Sequence, residues 1–188
     1  WWGRGTVVIV LVGAVTVSFI ASVGLPAWPP SQKWHGLVWF ATALGILGLI
    51  DTTVHRDQWA VRMFLAGLVG LSASWLLKLP AMSQLTVGCA IGIGAFLTAM
   101  TDARGGRGLT MLGWGWASAA AISMLTLVTG AISVSLMAGA LSATAACVLV
   151  LAIIFRARSV GEIGGGALVM GGLLTALALT SYSYDYDT

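Results

Sequence analysis

The sequence predicts an all-α, polytopic transmembrane helical bundle with about seven spans. Its composition is 59% hydrophobic and only 8% charged, which leaves too little polar surface to coat a soluble globule. Apolar runs of membrane-crossing length follow one another with short polar breaks, and arginine is concentrated in alternate breaks. These three observations place most of the 188 residues inside a bilayer. They leave little chain for an extramembrane domain.

The spans are set by apolar run length and by residues that interrupt a helix. A bilayer core about 30 Å thick takes roughly 20 apolar residues per helix. Prolines close the first run, and polar or glycine-rich segments close the second and fourth. The last long run is too long for one helix, and Thr129-Gly130 near its middle is the best break. The predicted spans are 6–25, 34–50, 59–79, 81–100, 109–128, 131–155 and 165–180.

The distribution of basic residues predicts the orientation, since short cytoplasmic loops carry an excess of Lys and Arg. With seven spans, one side holds Arg4, Arg56, Arg62, Arg104, Arg107, Arg156 and Arg158, and the other holds Lys33 and Lys78. A chain crossing only once between residues 109 and 155 would divide the arginines between the two sides. We therefore predict seven spans, a cytoplasmic N-terminus, a non-cytoplasmic C-terminus and a bacterial cytoplasmic (inner) membrane location.

The charge pattern also excludes one class of partner. The arginines are scattered one or two to a loop, and no basic run is interleaved with stacking aromatic residues. The pI of about 9.2 therefore reflects membrane topology and gives no sign of nucleic-acid binding. The expected partners are membrane lipid and other membrane protein subunits.

Small residues spaced four apart predict where the helices pack closely. Apolar helices gain little from hydrophobic burial in lipid, so they associate through close backbone approach at such residues. The fourth, sixth and seventh spans each carry one stripe. These stripes are Gly88 and Gly92; Ser135, Gly139, Ala143 and Cys147; and Ala167, Gly171 and Thr175. They predict tight packing in a compact bundle.

The most polar stretch of the chain follows the second span. Asp51 ends that span, where the helix dipole disfavours an anion, so its carboxylate needs a partner. The simplest hypothesis is a local ion-pair cluster, and a proton or substrate relay is the alternative. A catalytic site at the cytoplasmic face is a third hypothesis, using Asp51, His55 and Asp57. The residues of this predicted polar cluster are Asp51, His55, Arg56, Asp57 and Arg62.

His35, at the start of the second span, is the candidate cofactor ligand, because imidazole binds haem and chlorophyll metals. His55 lies 20 residues further on, about 30 Å along a helix, so the two histidines cannot clamp one haem. Ligation of one pigment by His35 stays open beside an ordinary interfacial histidine. Cys89 and Cys147 lack a second ligand at metal spacing, so no metal site is predicted.

The C-terminal tail holds all three tyrosines of the chain. Their period of two predicts an extended segment from residue 181, with rings along one edge and acids along the other. Docking onto a partner or the membrane surface is one interpretation, and a disordered end is the other. The candidate docking residues are Tyr182, Tyr184, Asp185, Tyr186 and Asp187.

Taken together, these features favour a non-catalytic accessory or scaffold subunit of a larger membrane complex. The main alternative is a small-solute or ion transporter or channel. A pigment-binding subunit using His35 and a polytopic enzyme using Asp51, His55 and Asp57 are weaker hypotheses. No cofactor is firmly implied, although bound lipid is expected.

Overall fold

The computed structural model describes residues 4–26, 28, 33–54, 58–79, 82–105, 108–154 and 165–184. Every regular element in these ranges is an α-helix, which confirms the predicted all-α fold. The helices, numbered in chain order, are α1 (Arg4–Val23), α2 (Lys33–Asp51), α3 (Trp59–Leu76), α4 (Gln84–Gly105), α5 (Gly108–Val128), α6 (Ile132–Ile154) and α7 (Gly165–Tyr184).

Six of the described helices are long and apolar enough to cross a membrane, which confirms a multi-pass membrane protein. The exception is α2, whose 19 residues extend about 28 Å. Its apolar part, His35–Asp51, is shorter than in the other helices. The sidedness of the termini stays a prediction.

The break between α5 and α6 shows why the longest apolar run makes two helices. Gly130 has a φ of +83°, the left-handed conformation that glycine adopts without a side-chain clash. Its N–H donates to the Leu127 carbonyl at 3.2 Å, and the N–H of Ala131 donates to the Thr126 carbonyl at 2.9 Å. This pair of bonds is a Schellman motif, which ends α5. The chain therefore turns back where the sequence predicted.

The first six helices form a ring around α7. Consecutive helices are neighbours in this ring, and α6 returns to pack against α1. The joint between α4 and α5 is the loosest, because these two helices barely touch. In α7, 67% of the membrane-compatible segment is buried, against 22 to 39% in the other five. The last helix of the chain therefore fills the centre of the bundle.

Glycines allow α7 to lie against its neighbours backbone to backbone. Gly165, at the start of α7, contacts the carbonyl of Gly48 in α2. Further along, a methyl group on Gly171 would lie 2.7 Å from the carbonyl oxygen of Gly94 in α4. Any larger residue at these positions would push α7 away from the ring.

The α3–α4 pair is joined in the same way. A methyl group on Gly70 would lie 2.6 Å from the Gly88 carbonyl oxygen, and one on Gly88 would lie 2.7 Å from the Gly70 carbonyl oxygen. Gly92 extends the contact, since a methyl group there would lie 3.0 Å from the Ala66 carbonyl oxygen. The small-residue stripe of α4 is therefore used for packing inside the bundle.

The stripe predicted on α6 is only partly an interface. Ser135 is buried, and its hydroxyl donates to the Ser123 carbonyl of α5 at 2.8 Å. Ala143 and Cys147 are exposed, so the prediction of packing is wrong for them. The physical reason is helical geometry, because a row of residues four apart drifts around the helix and leaves a straight interface.

The extended tail predicted from residue 181 is wrong as far as residue 184, because α7 continues to Tyr184. Ser183 is 1% exposed, so this last turn packs into the bundle. Tyr182 is 48% exposed and makes a contact of its own. The remaining candidate docking residues lie outside the described residues: Asp185, Tyr186 and Asp187.

We expect Gly70→Ala to lower the free energy of unfolding by about 1–3 kcal/mol, because the added methyl group forces α3 and α4 apart. Gly67→Ala, on the same helix, is the matched control, since a methyl group there meets open space. The measurement is unfolding by sodium dodecyl sulfate in mixed micelles, followed by circular dichroism. Equal stability of the two variants would contradict the backbone contact as the source of α3–α4 packing.

Candidate functional site

A buried ion pair joins the end of α2 to the start of α3. Asp51 Oδ1 lies 3.3 Å from Arg62 Nε, and the two side chains are 1% and 3% exposed. Asp51 is the last residue of α2, and Arg62 lies near the start of α3. A charge inside a membrane bundle is expensive unless it is paired, and each of these groups supplies the other's counter-charge.

The same arginine reaches the end of α4. Arg62 Nη1 donates a hydrogen bond to the carbonyl oxygen of Ala99 at 3.3 Å. Asp102, about one turn after Ala99, is only 2% exposed and is engaged in a polar interaction within the chain. Two carboxylates and one guanidinium are therefore buried at the same end of the bundle, where α2, α3 and α4 meet.

The position of Asp51 follows from packing against α7. Gly48, one turn before Asp51, contacts Gly165, the first residue of α7. The carboxylate consequently lies at the level of the α7 N-terminus, whose dipole is positive. The Thr52 hydroxyl, which donates to the Leu49 carbonyl at 2.6 Å, closes the end of α2.

This arrangement favours a structural lock over a proton relay. The Arg62 guanidinium lies 3.3 Å from the Asp51 carboxylate of α2 and donates a hydrogen bond to the Ala99 carbonyl of α4. Both charged side chains are buried and engaged by neighbouring helices. The pair is therefore suited to fixing the relative positions of α2, α3 and α4.

The polar cluster predicted from the sequence contains both partners of this ion pair. The structure brings Asp51 and Arg62 together, although ten other residues separate them along the chain. The other predicted members lie outside the described residues: His55, Arg56 and Asp57.

Sequence reasoning missed the contribution of α4. Ala99 contributes only its backbone carbonyl, which carries no sequence signal. Asp102 had a usable signal, because the charge distribution already placed its loop on the same membrane side as the loop between Asp51 and Arg62. Asp102 is buried at the same end of the bundle as the ion pair.

The opposite end of the bundle is aromatic. His35 is half-buried, and its ring meets the edge of Phe19 with the centroids 5.8 Å apart. Trp28 packs edge-on against Trp39 at 5.1 Å and against Trp75 at 6.1 Å. We call Trp28, Trp39 and Trp75 the tryptophan cluster. His35 is thus packed beside an aromatic patch, and no group of three metal-ligating side chains occurs anywhere in the described ranges.

The loose joint between α4 and α5 holds a small cavity of about 120 Å³. Thr98 of α4 and Ser118 of α5 lie on its sides, and Met170 of the central helix also lines it. Trp114, which is 69% exposed, lies at the outer surface of the same opening. We call this opening the α4–α5 seam. Side chains of α4, α5 and α7 all line it.

Comparison with protein-family models, with curated proteins and with solved structures finds no match for this chain. Its function must therefore be argued from its own geometry. Three features bear on that argument: the buried ion pair, the central position of α7 and the α4–α5 seam.

We expect Asp51→Asn to lower the free energy of unfolding by about 3–5 kcal/mol, because the substitution leaves Arg62 buried without its counter-charge. The double variant Asp51→Asn, Arg62→Met removes both charges and is expected to recover most of that loss. A double-mutant cycle from detergent unfolding curves measures the coupling. Additive effects of the two substitutions would show that the ion pair does not hold these helices together.

Proposed function

We propose that this protein is a non-catalytic accessory or scaffold subunit of a larger membrane protein complex, located in a bacterial cytoplasmic membrane. The observation that carries the proposal is the position of α7, which occupies the axis of the helical ring. Transporters and channels usually place broken helices or uncommitted polar groups near the membrane midplane. Here an intact, close-packed helix takes that place.

Several buried and half-buried hydroxyl groups support the same proposal. Thr126 donates to the Ile122 carbonyl at 2.8 Å, and Thr175 donates to the Gly171 carbonyl at 2.8 Å. Ser142 donates across helices to the Trp116 carbonyl at 3.3 Å. These three groups are committed to the backbone, as expected for residues that stabilise helices and do not handle a solute. The buried Ser183 hydroxyl, in the last turn of α7, is an exception, because it has no hydrogen-bond partner among the described residues.

An accessory subunit should remain bound to larger partners in mild detergent. We expect an affinity-tagged full chain, extracted from its native membrane, to migrate on a native gel in an assembly well above its own 19.4 kDa. The partners should be identifiable as integral membrane proteins by mass spectrometry. Recovery only as a free monomer that supports solute flux in liposomes would overturn the proposal in favour of transport.

The C-terminal tail is the proposed docking segment within that assembly. Replacing Asp185 and Asp187 by Asn and Tyr186 by Ser removes its acids and one ring. We expect the variant to lose partners on the native gel while its detergent stability is unchanged. Partner retention equal to that of the unmodified chain would remove the tail from the interface.

The α4–α5 seam favours transport as the second candidate function. Thr98 and Ser118 line the seam together with residues of α7. A solute that entered the seam would therefore contact α7. If this route is used, Ser118→Leu will reduce liposome flux, whereas Gly113→Leu will not, because Gly113 on the same helix faces open space. Equal flux through both variants would exclude the seam as the route.

A pigment held by His35 and an enzyme site at Asp51, His55 and Asp57 have less support. His35 packs against an aromatic ring, and Asp51 is paired with a buried guanidinium. Both side chains are therefore already engaged by contacts within the bundle.

A further inference from the structure

A long apolar groove of about 420 Å³ follows the outer face of the α3–α4 pair. Glycines form its floor, because they bring the two helices close and leave no side chain to fill the space between them. These are Gly67, Gly70, Gly88 and Gly92. The walls are bulky apolar side chains: Met63, Leu71, Leu85, Ile93 and Phe96. The groove opens away from α7 and towards the surroundings of the bundle.

The length and lining of the groove fit a hydrocarbon chain. From Met63 to Ser74 it follows α3 for about 16 Å, close to the depth of one leaflet of a core about 30 Å thick. A single extended acyl chain can therefore lie along the groove between the two helices.

The lining offers almost no hydrogen-bonding group. Ser74, at one end, already donates its hydroxyl to the Leu71 carbonyl at 2.8 Å. Cys89 contributes a thiol, which behaves as a small apolar group. An apolar occupant without hydrogen-bonding needs is therefore favoured along the whole length.

A positive charge follows the groove along the chain, because Lys78 comes four residues after Ser74, the last residue of α3 that lines the groove. Lys78 is exposed two residues after that helix, and within the described ranges no carboxylate pairs with it. The described carboxylates, Asp51 and Asp102, belong to the opposite end of the bundle. The positive dipole end of α4 is nearby, since α4 begins at Gln84. This end of the groove therefore favours an anion.

The tryptophan cluster supplies an independent depth marker. Trp75 lies one residue after Ser74 and is 69% exposed. Tryptophan rings concentrate at the headgroup level of a membrane. Lys78, three residues beyond Trp75, is then at the level of lipid phosphates, while the groove below it is at the level of acyl chains.

We propose that the α3–α4 groove is a binding site for an anionic phospholipid, with one acyl chain in the groove and the phosphate against Lys78. The length of the groove and its apolar walls correspond to an acyl chain, and the charge of Lys78 corresponds to the lipid phosphate. The Gly67 position, where no protein atom lies within 4 Å of an added Cβ, is space for the acyl chain.

The test uses the full chain in mild detergent, titrated with phosphatidylglycerol or with phosphatidylcholine carrying the same acyl chains. Native mass spectrometry measures the retained lipid. We expect about a fivefold preference for phosphatidylglycerol, lost in Lys78→Gln. Gly67→Leu adds a side chain to the groove at a position where a Cβ meets no protein atom within 4 Å, and it is expected to weaken the binding of both lipids about tenfold. Gly113→Leu, an equivalent change at an open position of α5, should bind like the unmodified chain.

Each contrary result overturns a defined part of the proposal. Unchanged phosphatidylglycerol binding in Gly67→Leu would show that the groove is not the site. Equal binding of the two lipids by the unmodified chain would show that Lys78 does not select an anion. Loss of a protein partner from Gly67→Leu, with lipid binding unchanged, would assign the groove to a partner subunit.

A second measurement needs no substitution. Cys89 lines the groove, whereas Cys147 is exposed on α6 outside it. We expect phosphatidylglycerol to slow the labelling of Cys89 by a lipid-soluble maleimide and to leave that of Cys147 unchanged. Equal labelling of Cys89 with and without the lipid would contradict occupancy of the groove.

Discussion

Contact between glycine backbones is the constraint on which the rest of this bundle depends. In lipid, apolar side chains gain little by leaving one hydrocarbon surface for another, so close van der Waals approach must hold the helices together. Gly165 and Gly171 bring α7 against α2 and α4, and Gly70 and Gly88 join α3 to α4. The ring around α7 is a consequence of these contacts. Its loosest joint, between α4 and α5, lies where such contacts are fewest.

The ion pair depends on that arrangement. Gly48 draws the end of α2 onto the start of α7, and Asp51 follows one turn later at the level where α4 and α3 also meet. Arg62 then connects three helices through one carboxylate and one carbonyl. Such a pair adds little net stability compared with apolar packing, but it disfavours other arrangements, which would leave a charge buried alone. The ion pair therefore fixes the arrangement of helices, which agrees with the proposed scaffold role.

The two ends and the outer face of the bundle are chemically distinct. The ion pair occupies one end, and the tryptophan cluster with Lys78 occupies the other. Between the two ends, the surface carries exposed apolar side chains such as Phe64 and Leu85. Such a surface is expected where the protein contacts lipid or a partner subunit. In the proposed assembly, a lipid covers the surface between α3 and α4, and protein partners cover other parts of the apolar surface.

The sequence by itself determined the fold class, the helices and the break at Gly130, because run length and turn chemistry are local. The sequence also predicted that Asp51 and Arg62 belong to one polar cluster, because few other charged residues lie near the predicted spans. It erred at residues 181–184, where α7 continues into the predicted extended tail and Ser183 is buried. Only the tertiary structure decided that α7 is central and that Ala99 completes the polar site. The reason is that α7 has the same mean hydropathy as α3, so lateral position depends on complementary contacts that no single helix encodes.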